Sequence, residues 1–202
     1  MSISSRSFRS EKGAIVIKAR NSPPKRINFQ YNPHTIKRSL NPVYSDRDGE
    51  TFLTYGAPPS EKITVTIEFD ATDQLEGVWQ NFGTKWSGIR PQLAALETIL
   101  YPPSDQGSDK ASIVAEGTLK IPLDTEMVTV FEFGKKRAIP VKITGYTIDE
   151  EEYDIELNPI RATIGITMDV LTYTESKLSE TATAIYQAYH ANKEAEAKEL
   201  PP

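Results

Sequence analysis

The chain predicts a mainly β fold, a barrel or sandwich with one inserted helix and a C-terminal helical tail. Three observations lead there. Ile63, Val65, Ile67 and Phe69 alternate with Thr64, Thr66, Glu68 and Asp70, the period-two pattern of a strand with one buried face. The same pattern returns near the end of the domain, where Ala162, Ile164, Ile166, Met168 and Val170 alternate with Thr163, Gly165, Thr167 and Asp169. Against several such segments stands one well-delimited helix, residues 91–101 (PQLAALETILY).

Taken in order, residues 13–19 form a short apolar strand, and residues 21–25 (NSPPK) read as a turn. Ile27, Phe29 and Tyr31 then alternate with Asn28, Gln30 and Asn32 as far as Pro33, whose ring removes a ladder donor and ends the strand. Phe29 and Tyr31 are expected on its buried face. Residues 41–60 are rich in Pro, Gly, Asp and Ser and read as a long excursion, partly extended around residues 51–54. Beyond the strand at residues 62–69, Leu75, Val78, Trp79 and Phe82 recur at helical spacing between Asp73, a suitable N-cap, and Gly83, a stop.

In residues 91–101 the proline suits the first helical turn. Leu93, Leu96, Ile99 and Leu100 share a face, and Pro102-Pro103 prevents continuation. Further strands are expected at residues 112–123, 127–133 and 138–147, with weak alternation over residues 153–157. The tail, residues 174–200, carries Leu178, Ala182, Ile185 and Tyr189 as a heptad-like stripe flanked by charge. That stripe packs on its own domain or serves as a docking arm for another protein, with Leu178, Ile185 and Tyr189 as anchors. As a docking arm it would be dispensable for folding.

Composition narrows the function. A chain of 202 residues is long enough for one core without staples, and it has no cysteine, which excludes disulfides and thiolate chemistry. Residues 1–10 are polar and basic, without the apolar region of a signal peptide, and no apolar run reaches membrane-spanning length. Assembly in the cytoplasm without membrane insertion is expected. Residues 1–40 hold nine bases against Glu11 alone, so they carry +8 and the remainder −13, for a net −5. Such asymmetry can mark nucleic-acid binding, but these bases are spread over strand-like segments with no recognition helix or stacking array. A basic edge meeting an acidic edge of a second copy explains it at least as well, and an ordinary solvated face is the commonest origin of such a charge run.

Catalytic chemistry finds little footing. The two histidines, His34 and His190, stand far apart, which offers no zinc spacing, and no glycine-rich strand-to-helix turn exists to cradle a phosphate. Asp149, Glu150, Glu151, Glu152 and Asp154 form a carboxylate run, but consecutive strand residues cannot all face inward; a solvated hairpin tip or acidic collar is expected. Glu68 and Asp70 lie on the polar face of their strand, and Gly165 marks a bulge or a close packing point. Neither an enzyme nor a cofactor is expected.

Four segments in order resemble the contractile injection system tube and baseplate protein family: NFQYNP at residues 28–33, ITVTIEFD at residues 63–70, the helix at residues 91–101, and residues 140–171 ending NPIRATIGITMDVL. The resemblance implies a tail-tube-like β domain over residues 12–173, between an N-terminal arm (residues 1–11) and the helical tail (residues 174–202). It implies a structural baseplate subunit in a homohexameric ring, joining the spike hub to the inner tube of a phage-tail-like particle and initiating tube assembly. Expected partners are the chain itself, the spike hub protein, the inner tube protein and other baseplate components. Phe29, Tyr31, Asn32, Pro33 and Arg161 are the candidate interaction residues of the β domain. Some members carry a LysM domain, and nothing after Leu171 corresponds to one. The alternatives are an ordinary inner-tube subunit, or a β-sandwich binding module for carbohydrate or cargo with Trp79 or Trp86 in a cleft.

Overall fold

The computed structural model describes residues 11–19, 22–44, 55–72, 88–101, 127–173 and 179–200. The expected helix around Leu75 to Phe82, the strand at residues 112–123, both tryptophans and Leu178 lie outside them. The described elements are β1 (Ala14–Ala19), β2 (Ser22–Asn28), β3 (Ile36–Tyr44), β4 (Tyr55–Asp70), α1 (Arg90–Glu97), β5 (Val128–Glu132), β6 (Ala138–Tyr153), β7 (Pro159–Val170) and α2 (Glu180–Ala197).

The strands form one antiparallel sheet in the order β2-β1-β5-β6-β7-β4-β3. Among the described residues this sheet is not closed into a barrel, and no second sheet faces it; β2 and β3 are its edges. Proline chemistry accounts for the open ends. Pro23 and Pro24 in β2 and Pro42 in β3 each lack a ladder donor, and proline is tolerated in a sheet mainly at an edge. The same rule corrects the expected turn at residues 21–25, most of which is edge strand paired to β1.

Two strands run longer than their patterns foretell. β4 begins at Tyr55, because residues 55–61 pair with β3 where an excursion was expected. β6 continues to Tyr153, because Asp149, Glu150 and Glu151 keep ladder partners in β7 while their side chains stay in water. β2, by contrast, stops at Asn28, so Tyr31 follows the strand instead of ending it.

The alternating positions behave as strand physics requires. Ile63, Val65, Ile67 and Phe69 of β4 are buried beside Ala162, Ile164, Ile166, Met168 and Val170 of β7, together with Phe29 and Phe131. Each of these side chains larger than alanine stabilises the fold by roughly 1.5–3 kcal/mol through apolar burial. α1 adds Leu93 and Leu96 to this core, while Leu100, expected on its apolar face, is exposed. Its start is fixed by Gly88, whose φ of +59° favours glycine and where a Cβ would collide with the Pro159 carbonyl. Gly165 is a close packing point rather than a bulge, since pairing runs unbroken through it and a Cβ there would stand 2.6 Å from the Thr147 hydroxyl.

α2 packs on its own domain. Ser179 caps it by accepting from the Ala182 N–H, and Ala182 joins Ala14, Val16, Val128 and Val130 in a second cluster on the opposite side of β1 and β5. Those two strands are therefore covered on both faces.

Candidate interaction surface

Tyr31, Asn32 and Arg161, three of the residues singled out from the sequence, line one groove of about 550 Å³ with Lys12, Glu68 and Asp70. The groove is assembled by side-chain amides where the ladder ends. Gln30 substitutes for a strand neighbour: its amide nitrogen donates to the Asp70 carbonyl (2.6 Å) and its oxygen accepts from the Asp70 N–H (3.0 Å). Asn32 does the same for the start of β1, accepting from the Gly13 N–H and donating to the Glu11 carbonyl, each at 2.8 Å. Residues just past one edge strand thus touch the end of β4, next to the other edge, so the open sheet is strongly curled.

Charge organises the floor of the groove. Arg161 donates to Asp70 through Nε (3.1 Å) and Nη2 (2.9 Å), and through Nη1 to Glu152 (3.1 Å). The Thr72 hydroxyl and N–H and then Arg161 hold the Asp70 carboxyl below its usual range, against the opposing effect of burial. Asp70 is thereby kept as an acceptor and ion-pair anchor, poorly suited to donate a proton. The Lys12 ammonium bonds the Gln30 carbonyl (2.6 Å) and sits 5.9 Å from the Tyr31 ring centre. A preset array of this kind suits recognition of a polar or charged protein surface. Among the described residues no group of three His, Asp or Glu side chains is placed to hold a metal ion.

The remaining candidates go elsewhere. Phe29 is core, 1% exposed, and Pro33 is half-buried beside Asn32. Ile185 packs against the second cluster. Tyr189 is buried against its own domain, accepting from Arg38 Nη2 (2.9 Å) with the Lys193 ammonium 4.0 Å over its ring. Beneath it, buried Glu61 takes both Arg38 (2.6 Å) and Lys193 (3.3 Å). The partner of the α2 stripe is the chain's own sheet.

Sequence reasoning missed the exposed apolar side chains. Leu40, Val43 and Tyr44 stand out from β3, and Tyr153, Ile155 and Leu157 from the β6–β7 turn. The weak alternation at residues 153–157 was the only signal for the second group. No helix among the described residues is long and apolar enough to cross a membrane. A scan against protein-family models and a search of curated proteins find no match for the chain.

Proposed function

We propose that this chain is a structural baseplate subunit of a contractile injection system, forming a ring that joins the spike hub to the inner tube and templates the first tube layer. The observation that carries the reading is the open, curled sheet whose β3 edge exposes Leu40, Val43 and Tyr44. An edge strand that leaves Leu40, Val43 and Tyr44 in water can pair with other chains, and a closed ring of identical subunits covers it. The four sequence segments that resemble the tube and baseplate family point the same way. In this reading the sheet is one segment of a tail-tube-like wall, closed by neighbouring copies and not by its own strands. A ring formed in advance lowers the entropy barrier to nucleation, because later tube subunits meet a complete surface.

Mass photometry of the purified chain, alone and with its spike hub, is expected to show a sixfold species. Each subunit contact is expected to bury on the order of 2,000 Å². Leu40→Asp combined with Val43→Asp should shift the distribution toward monomer without changing the melting temperature by more than a few degrees. A chain that stays monomeric in every condition, the particle included, overturns the reading.

A further inference from the structure

The two ends of β6 carry complementary surfaces. At its far end the turn to β7 presents Tyr153, Ile155 and Leu157, which are 51%, 103% and 78% exposed. Asp154 orders this tip with its own polar atoms, accepting from the Glu156 N–H (2.8 Å), the Asn158 N–H (2.7 Å) and the Asn158 amide (2.9 Å). Leu157 is held at φ +62°, a conformation leucine disfavours. The apolar side chains are thus displayed on a fixed frame, and the chain on either side of them is acidic: Asp149, Glu150, Glu151, Glu152, Asp154 and Glu156 lie within a few residues, with Glu152 paired to Arg161.

At the near end, the turn at residues 134–137 (GKKR) opens on a cleft of about 540 Å³. Phe133 and Tyr189 give it apolar wall, and Lys135, Lys136, Arg137 and Lys193 give it a basic rim. Glu11 and Glu196 also line it, 3.3 Å from Lys135 and 3.8 Å from Lys136, and bases still outnumber acids there. An apolar knob with an acidic collar and an apolar cleft with a basic rim fit one another in shape class and in charge. The 16-residue strand β6 runs between them, one surface at each of its ends.

We infer that the β6–β7 tip of one copy seats in the Lys135–Arg137 cleft of a second copy, head to tail. Such a contact uses two different patches and closes into a ring when its rotation returns to the start. The inference rests on the assembly proposed above and adds a second contact between neighbouring copies to the one made by the β3 edge.

Charge reversal tests it. Lys136→Glu with Arg137→Glu, or Glu150→Lys with Glu156→Lys, should each raise the concentration needed for half-assembly at least tenfold. Mixing the two double variants should restore assembly, because each reversed patch then meets a reversed partner. The chain has no cysteine, so Ile155→Cys combined with Arg137→Cys supplies a second readout: mild oxidation should give a ladder of covalent oligomers on a denaturing gel, absent from either single variant. If a reversal variant fails to fold by its melting curve, the cysteine pair decides. Wild-type assembly that neither reversal weakens, with no ladder, overturns this contact and leaves the ring standing. A wild-type chain that never assembles removes both.

Discussion

Tyr146 shows how one atom sets a pH limit. Its side chain packs against the main core, yet its hydroxyl is buried with no hydrogen-bond partner among the described residues. Burial first, and then the nearby Glu97 carboxylate, push its pKa up to about 12. A raised folded pKa gives stability that is fully present below the unfolded value, about 10, and is lost as pH rises through the folded one. Tyr146→Phe should therefore stabilise the protein by about 1 kcal/mol at neutral pH, since an unpaired buried hydroxyl is removed. It should also flatten part of the decline in denaturant midpoint between about pH 10 and 12. Tyr186, raised by burial and by Glu61, keeps the rest of that slope. Asp70 sets the opposite limit. Its lowered pKa gives stability that is present above the unfolded value near 4 and is lost as pH falls through the folded value. Thr72→Ala should reduce that acid-side loss, measured as urea midpoints from pH 5 downward, and a slope unchanged by the substitution would remove Asp70 as its source.

The element that most changes its meaning between sequence and structure is α2. Deleting residues 180–200 uncovers Ala14, Val16, Val128 and Val130 and leaves buried Glu61 with Arg38 alone. That deletion should lower the melting temperature by well over 5 °C or cause aggregation. The milder Glu61→Gln, which leaves two cations without their carboxylate, should cost about 2 kcal/mol. An unchanged melting temperature after deletion would return α2 to the role of a detachable arm. Its stripe was legible because helical spacing is local; its partner was not, because Arg38 and Tyr189 stand 151 residues apart. The same contrast holds elsewhere. β4 and β7 could be read from strict alternation of apolar with polar or small residues. β2 was hidden by Pro23 and Pro24, and the end of β6 by carboxylates, since both are turn signals that an edge strand or a solvated face tolerates. Tyr31, Asn32 and Arg161 were found as candidates, while the Gln30 clamp on Asp70 spans 40 residues and left no local trace.

For the whole molecule, the order of the sheet decides when the protein comes to exist. β7 lies between β6 and β4, so it joins the β2-β1-β5-β6 half to the β4-β3 half, and it is the last strand among the described residues. β1 likewise waits for β5, with Ala14 opposite Glu132. At typical ribosomal speeds, roughly 100 residues of further synthesis separate β4 from the end of β7, an interval of about 5–20 s. Throughout it Ile63 and Val65 have their hairpin partner β3, Ile67 and Phe69 lie beyond its end, and all four lack the β7 strand that pairs along the other edge of β4. Nascent chains halted before Pro159 should therefore be sticky and chaperone-bound, whereas chains released with both β7 and α2 complete should resist protease, as pulse proteolysis of stalled complexes would reveal. Placing the central strand last acts as a timer: two half-sheets, each with an open edge while it waits, are sealed together in a single late event, and the exposure of those edges is limited to the seconds before it.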